Sequence, residues 1–232
     1  MPKFSTFNTF GSASNEVGQS HIPVWLDFVG PVPVGGTLNK AYARKGFFLG
    51  AGAPVNLTDK IINPFFAWEV VAFNAGDGST VTTDSIIIKD MNGAVPAVND
   101  YIQKVGASFS ATGKAATVAS VDLLTSGANA GCYEVKVAHS ATIDSVNAGD
   151  AIALSSATAA GSSKSLAAQP NGYLYNDIYF GDLDGDADSY TIAATGAVVM
   201  YHHGGLLVEL TPSAPVKAQM KAAVPGVLQV LV

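Results

Sequence analysis

The sequence is poor in cysteine and in charge, and both shortages exclude classes of protein. Its single cysteine, Cys132, excludes an internal disulfide framework and most thiolate metal sites, so we expect an ordinary buried residue there. Charged residues make up 13% of the chain, about half of the ~25% typical of soluble domains. There are 12 Lys and Arg against 18 Asp and Glu, with no basic cluster, which argues against a nucleic-acid partner.

Long apolar runs and catalytic motifs are missing as well. No segment approaches the roughly 18 apolar residues of a membrane span, and residues 1–20 hold no stretch typical of a signal peptide, so we expect a soluble protein with no membrane partner. There is no Gly-x-Ser-x-Gly elbow and no Gly-x-x-x-x-Gly-Lys-Ser/Thr loop, and Gly50-Ala51-Gly52 is too short for a dinucleotide fingerprint. We therefore expect that the chain is not an enzyme.

Small and β-branched residues take the place of charge. Ala, Gly, Ser, Thr and Val dominate and the mean hydropathy is +0.29, which suits a protein that buries much of its surface in an assembly. Residues 1–20 are rich in Ser, Thr, Asn and Gly, with Phe4, Phe7 and Phe10 at intervals of three. This arm is either a partly disordered terminus or a segment whose Phe side chains dock onto a neighbouring subunit.

The middle of the chain, residues 77–165, alternates short strand-like runs with turns, as in an all-β sandwich or small barrel. Tyr133 and Val135 alternate with Glu134 and Lys136, which is the period of a strand with one wet face. Together with the apolar run just before this block, the predicted strands are 67–73, 85–89, 101–105, 116–121, 132–138 and 151–154.

Two turns in this block echo each other. Residues 96–102 and residues 145–152 each carry an Asn-Asp or Gly-Asp turn that leads into a strand. They are either equivalent corners of a barrel or a chance similarity. Residues 155–165 are rich in Ser, Ala, Thr and Gly, the most linker-like composition in the chain, and we place a domain boundary there.

The last third of the chain predicts a hairpin, a helix and an apolar tail. Residues 190–200 and 206–210 are strand-like and flank Gly204-Gly205, which is a turn signal. The tail, residues 227–232, would fray or aggregate unless it joined a sheet of its own or a neighbouring subunit, so it favours assembly.

The predicted helix follows Thr211-Pro212-Ser213, because Thr and Ser cap helix starts and Pro is tolerated in the first turn. Pro225-Gly226 must end it. Its apolar stripe is formed by Val216, Met220 and Ala223 or Val224. The predicted oligomer interface comprises Val216, Met220, Val227, Leu228, Val230 and Leu231.

Three segments carry a resemblance to a known family. Residues 170–178 (PNGYLYNDI), 193–209 (AATGAVVMYHHGGLLVE) and 224–227 (VPGV) resemble the C-terminal domain of head fibre proteins of tailed bacteriophages. The resemblance covers about the last quarter of the chain and implies a role on the virion surface, without an active site. It implies partners among the major capsid protein or other head shell subunits, and a homotrimer or homodimer. On this interpretation, Phe4, Phe7 and Phe10 form a capsid-docking arm. Residues 181–188 depart from the family pattern because they are richer in Asp.

Those residues hold four carboxylates at alternate positions, Asp182, Asp184, Asp186 and Asp188. Because Ca²⁺ takes oxygen ligands, the loop is a weak Ca²⁺ candidate, and no other cofactor is expected. The spacing is not that of an EF-hand, since Gly185 comes two positions early. An acidic, solvated loop is the alternative.

The paired His202-His203 is a weaker metal candidate. Adjacent residues on a strand point to opposite faces, so the two imidazoles cannot easily share one ion. We expect them to pack at a subunit contact instead. His21 and His139 stand alone in the sequence and support no site.

These patterns predict a mainly β chain with an N-terminal extended arm, β-sandwich or small-barrel domains, and a C-terminal β-hairpin domain with one short α-helix. The predicted domains are an arm (1–20), a β-rich capsid-proximal region (21–160), a linker (161–170) and a head-fibre-like domain (171–232).

The functional hypothesis is a structural virion protein: a head fibre or capsid decoration subunit on the capsid exterior, made in the host cytoplasm. One alternative is a receptor- or glycan-binding module in which exposed aromatics face a sugar. Its candidate residues are Tyr173, Tyr175, Tyr179 and Tyr190. Another alternative is a hydrolase with an unrecognised site.

Overall fold

The protein, seen in a computed structural model, is mainly β, with one short helix in the part of the chain that the structure describes. The described residues are 25–28, 37–39, 48–49, 53–59, 61–76, 78–80, 82–90, 95–139, 143–174, 178–179, 200–201, 204–206, 214–224 and 227–229. Within these ranges, no helix has the length and apolar character to cross a membrane.

The elements follow one another in chain order as short strands, with the helix before the last of them. They are β1 (Trp25–Phe28), β2 (Thr37–Leu38), β3 (Phe48–Leu49), β4 (Pro54–Thr58), β5 (Ile61–Pro64), β6 (Ala67–Asn74), β7 (Thr83–Ile88), β8 (Tyr101–Lys104), β9 (Gly113–Leu123), β10 (Tyr133–Ala138), β11 (Ala151–Leu154), β12 (Ser163–Lys164), β13 (Gly172–Leu174), β14 (Ile178–Tyr179), β15 (Met200–Tyr201), β16 (Gly204–Leu206), α1 (Ala214–Ala223) and β17 (Val227–Gln229).

Contacts group the described residues into two compact units. The barrel unit comprises those within Phe65–Gln169 and Thr211–Gln219. The terminal unit comprises those within Met1–Pro64, Pro170–Leu210 and Met220–Val232. This division differs from the predicted order of domains, because strands before residue 64 pair with strands after residue 170.

Six strands of the barrel unit close into a ring. They are hydrogen-bonded in the order β6-β7-β10-β9-β8-β11, and β11 returns to β6, all in antiparallel pairs. β12 adds to β9 outside the ring. The ring confirms the small-barrel alternative over the sandwich. The predicted barrel strands are also confirmed: β11 has the predicted bounds, and the other ends differ by at most three residues.

The barrel consists of two three-stranded halves with the same order of strand pairing. β6, β7 and β8 correspond to β9, β10 and β11, and exchanging the two sets leaves the ring order unchanged. Each half carries a bulge at the same place, with Val71 as the extra residue in β6 and Ala119 in β9. Bulges bend and twist a strand, which helps a small sheet to close.

The first of the two echoing turns forms one corner of this barrel. The Ala97 N–H donates to Asp100 Oδ2 at 2.6 Å. The Asn99 N–H donates to the Val118 carbonyl and the Val118 N–H donates to the Asp100 carbonyl, each at 2.9 Å. Asn99 has a φ of 72°, a left-handed conformation that Asn tolerates better than most residues. The turn is thus closed by a side chain and tied to the neighbouring strand.

The second turn repeats these bonds. The Asn147 N–H donates to Asp150 Oδ2 at 2.8 Å. The Gly149 N–H donates to the Val70 carbonyl at 2.8 Å, and the Val70 N–H donates to the Asp150 carbonyl at 2.9 Å. Gly149 takes the left-handed position with a φ of 87°. The predicted equivalence of the two corners is confirmed, because both have the same donors and acceptors.

The barrel core is filled unequally by the two halves. Trp68 lies opposite Ile152 on the neighbouring strand, and Ala116 lies opposite Ile102 at the equivalent place in the other half. All four residues are at most 1% exposed. The Trp68 ring stacks on Phe66, with 6.4 Å between ring centroids and 12° between planes. One half therefore supplies a large side chain where the other supplies a small one.

The linker-like stretch 155–165 is folded as part of the barrel unit. β12 lies inside it and pairs with β9, and Ser155 bridges Leu166. The Ser156 hydroxyl donates to the Ser165 carbonyl at 2.9 Å. The prediction of a linker over 161–170 therefore differs from the structure. Its Ser, Ala, Thr and Gly residues resemble a linker in composition, but their backbone groups are bound to the barrel.

The terminal unit contains three small sheets among its described residues. Their strand orders are β1-β16-β17, β15-β13-β4-β5-β2 and β14-β3. β15 pairs with β13, whereas β16 pairs with β1 on one side and β17 on the other. The predicted hairpin strands, 190–200 and 206–210, lie outside the described residues except for Met200 and Leu206, so the hairpin stays a prediction, whereas the predicted turn at Gly204-Gly205 differs from the structure. Gly204 and Gly205 lie inside β16, where their backbone N–H and C=O groups are available for strand pairing as in any other residue.

The predicted C-terminal helix is confirmed as α1. Val216 and Met220 are fully buried and Val224 is nearly so, which gives the expected apolar stripe. The helical bonding extends to the Val224 N–H, which donates to the Met220 carbonyl at 2.8 Å. Lys221 lies in the last turn, where a cation is favoured by the helix dipole.

Candidate functional site

Most of the predicted site residues lie outside the described residues. This applies to Asp182, Asp184, Asp186 and Asp188 of the Ca²⁺ candidate, to Phe4, Phe7 and Phe10 of the arm, to Val230 and Leu231 of the interface, and to His202 and His203. These hypotheses stay predictions. Among the residues that the structure does describe, no group of three or more His, Cys, Asp or Glu side chains could hold a metal ion.

The interface residues that are described fall into two kinds. Val216 and Met220 are 0% exposed in the single chain, so their side chains are covered without a neighbouring subunit. Val227 and Leu228 belong to β17, which pairs in parallel with β16 of the same chain. The tail thus joins a sheet of its own subunit through its first residues. The interface itself stays a prediction.

Two residues differ from their sequence-based expectations. Tyr173 is 1% exposed, so its ring is not available to face a sugar as the glycan alternative requires. It lies in β13, which pairs with β4 on one side and with β15 on the other. Successive side chains of a strand point to opposite faces of the sheet, and Tyr173 is on a covered face. Cys132 was expected to be buried and is only half-buried, because it lies in the turn just before β10.

The strongest constellation of reactive groups is a His–Asp pair that the sequence analysis did not identify. His139 Nδ1 lies 2.7 Å from Asp84 Oδ1, and the Gly76 N–H donates to the same oxygen at 2.8 Å. The Asp84 side chain is 7% exposed and that of His139 is 29% exposed. An ionised carboxylate can only accept, so Nδ1 carries the proton that it shares with Asp84. Asp84 thereby fixes the orientation of the imidazole.

Gly78 packs directly against the other edge of this ring. A Cβ at this position would lie 2.9 Å from His139 Cδ2 and 3.1 Å from Nε2, which is too close for a side chain. Its φ of 72° favours glycine independently. The His139 N–H also donates to the Thr82 carbonyl at 2.8 Å. The imidazole is therefore held between the β6–β7 loop and the end of β10.

A carboxylate-oriented imidazole can act as a base or a metal ligand through Nε2. Here the contact with Gly78 narrows the approach to Nε2, and no third metal-ligating side chain lies beside the pair among the described residues. The geometry fits better with a clamp that fastens the β6–β7 loop to the barrel. No sequence spacing signals it, because the two residues are 55 positions apart.

Comparisons with protein-family models, curated proteins and solved structures find no match for this chain. The functional argument therefore depends on the residues and their geometry.

Lys104 and Asp150 form an ion pair that distinguishes the two barrel corners. Lys104 Nζ lies 2.8 Å from Asp150 Oδ2 and also donates to the Ser145 carbonyl at 3.0 Å. Burial by itself raises the pKa of Asp150, but the bonds from Lys104 and from the Asn147 N–H outweigh it and hold that pKa below its usual 3.8. At the other corner, the position equivalent to Lys104 is Leu154.

We expect the barrel to lose stability in acid through Asp150. A carboxyl group whose pKa is lowered by folding stabilises the native state above its unfolded pKa of 3.8, and this contribution disappears as the pH falls through the folded value. Asp150→Asn should flatten the dependence of the unfolding free energy on pH below about 5. A slope in Asp150→Asn equal to that of the wild type would contradict the assignment to Asp150.

Asparagine side chains form a row across the largest sheet of the terminal unit. Asn39 Nδ2 donates to Asn63 Oδ1 at 2.7 Å, and Asn63 pairs in register with Asn56 on β4. Beside β13, the Asn171 amide accepts from the Leu57 N–H at 2.8 Å and donates to the Leu57 carbonyl at 3.0 Å. The amide of Asn171 thus replaces a peptide group in the ladder and ties the returning chain to β4.

Asn171→Ala should weaken this junction by about 1–2 kcal/mol, because two hydrogen bonds are lost. The local measurement is hydrogen exchange of the Leu57 amide, which we expect to become faster. Asn171→Asp keeps the acceptor for the Leu57 N–H but turns an oxygen towards the Leu57 carbonyl, so it should not restore the wild-type stability. Unchanged exchange at Leu57 in Asn171→Ala would contradict this role.

Proposed function

We propose that the chain is a structural virion protein, a head fibre or capsid decoration subunit that attaches to the exterior of a phage capsid and has no catalytic role. The proposed partners are the major capsid protein or other head shell subunits, and further copies of this chain. The resemblance of residues 170–232 to head fibre proteins is the main support for the proposal.

The strand pairing adds a second argument. The head-fibre-like segment supplies β13, β14 and β16, and each of these pairs with a strand from the N-terminal part of the chain, β4, β3 and β1 respectively. The segment is thus the framework of the terminal unit. Strands that hold a unit together in this way are consistent with a structural role.

The proposal is tested on particles of the phage that encodes the chain. An antibody against the purified protein should label the outside of intact heads in electron micrographs, and heads that lack the protein should bind it in co-sedimentation up to a fixed ratio. An antibody against a tail protein is the control for labelling. Protein that stays in the supernatant with deficient heads, together with unlabelled virions, would refute the proposal.

A further inference from the structure

Gln103 of β8 carries a buried hydrogen-bond donor that the described protein groups do not satisfy. The residue is 0% exposed, although Gln is usually found on protein surfaces. The Ser155 hydroxyl donates to Gln103 Oε1, and Ser155 Oγ in turn accepts from the Ala157 N–H at 3.1 Å. These bonds fix the orientation of the amide. Gln103 Nε2 has no hydrogen-bond partner among the described residues, and an unpaired buried donor is costly.

Gln103 Nε2 faces a small polar space over Gly113, the first residue of β9. A Cβ on Gly113 would lie 3.3 Å from Gln103 Nε2, 3.3 Å from Asp144 Oδ2 and 3.4 Å from the Lys104 carbonyl oxygen. Outside Gly113 and its chain neighbours, these are the three heavy atoms nearest to that point, and all of them are polar. The missing side chain thus leaves one donor and two acceptors around the same space.

The backbone of Gly113 does not by itself require glycine. Gly78 and Gly149 have φ values of 72° and 87°, whereas Gly113 is not among the glycines with a positive φ. Gly113 pairs with Lys164 of β12 as an ordinary strand residue. Glycine inside a strand weakens it, and often marks a place where a ligand or another backbone group approaches closely. The polar space above Gly113 supplies such a reason.

The hydrogen-bonding capacity of the three atoms selects the occupant of this space. The occupant must accept from an amide NH₂ group and donate to a carboxylate and a carbonyl oxygen. A cation cannot accept from Gln103 Nε2, and an anion is repelled by Asp144. Water can accept one bond and donate two, and buried waters typically make about three hydrogen bonds. We propose that Gly113 leaves room for a buried water molecule that joins Gln103 Nε2, Asp144 Oδ2 and the Lys104 carbonyl oxygen.

This water completes a set of bonds that holds the segment between β10 and β11 on the barrel. Asp144 Oδ2 accepts from the Lys114 N–H at 3.0 Å, and Lys104 Nζ donates to the Ser145 carbonyl at 3.0 Å. The water links the same carboxylate to β8 and satisfies the buried amide of Gln103. The inference goes beyond the proposed function and does not depend on it.

The first test is a high-resolution crystal structure of the full-length protein. A water peak is expected at about 2.7–3.2 Å from each of the three atoms. In solution, the side-chain amide protons of Gln103 should show cross-relaxation with a long-lived water. A direct bond between Gln103 Nε2 and Asp144 Oδ2, or no peak in this space, overturns the inference. A peak with ligand distances of about 2.3–2.6 Å also overturns it, because such distances indicate a cation such as Ca²⁺.

Gly113→Ala and Gly113→Ser provide a matched pair of variants. The methyl group of Ala displaces the water but cannot accept from Gln103 Nε2, so hydrogen exchange of the Lys114 amide should become about tenfold faster. The hydroxyl of Ser can accept from Nε2 and donate one hydrogen, so exchange should stay within about threefold of the wild type. Equal acceleration in both variants, or a water peak that persists in Gly113→Ala, overturns the inference.

Discussion

Trp68→Ala is expected to destabilise the barrel by about 3–5 kcal/mol, the usual cost of truncating a buried aromatic residue. Trp68 is 1% exposed, lies opposite Ile152 and stacks on Phe66. Its removal would leave a cavity in a closed ring whose strands are held on both sides, so the surrounding backbone can collapse only in part. This is the largest single effect that we expect in the chain.

The measurement is unfolding in urea followed by circular dichroism. Tryptophan fluorescence is unsuitable, because Trp68 is one of only two tryptophans. Trp68→Phe should give an intermediate loss, since it keeps a ring against Phe66. Leu123→Ala is the control for a large apolar side chain on the surface and should change stability by about 0.5 kcal/mol or less. A loss of that small size in Trp68→Ala would show that the core tolerates the cavity.

The unequal filling of the core explains why the strands of the barrel could be predicted from the sequence but most of its internal repeat could not. Alternating patterns such as Tyr133 to Val137 predicted individual strands well, and the Asp-bearing corners revealed a repeat. The rest of the repeat was hidden, because Trp68 and Ala116 occupy equivalent places but share no chemistry. Only the turns, where Asp100 and Asp150 make the same bonds, retain a similarity that a sequence can show.

Pairings between distant parts of the chain could not be predicted in the same way. The prediction of domains assumed that neighbours in sequence fold together, whereas Leu57 is bonded to Asn171, 114 positions away. Gly204-Gly205 was interpreted as a turn because glycine permits unusual dihedral angles. In the structure the pair is part of β16, because it pairs with β1 and β17. The His–Asp pair has the same origin, since the register of β7 and β10 is what brings His139 close to Asp84.

His139→Ala is expected to destabilise the barrel by about 2 kcal/mol, because it leaves a buried carboxylate with one fewer donor. Asp84 would keep the Gly76 N–H, but its side chain is 7% exposed and water can replace the imidazole only in part. We expect the β6–β7 loop, residues 75–82, to loosen first. Faster hydrogen exchange at Gly76 would report this directly, and urea unfolding would give the total loss.

A double-mutant cycle separates a clamp from an incidental contact. If His139 and Asp84 act as a pair, adding Asp84→Ala to His139→Ala should cost much less than Asp84→Ala alone, with a coupling energy of about 1–2 kcal/mol. His139→Gln, which can still donate a hydrogen bond, should recover part of the stability. Additive effects would mean that the 2.7 Å contact contributes little to folding. The oriented imidazole would then need another explanation, and the reactivity of Nε2 towards metals and small electrophiles would become the property to measure.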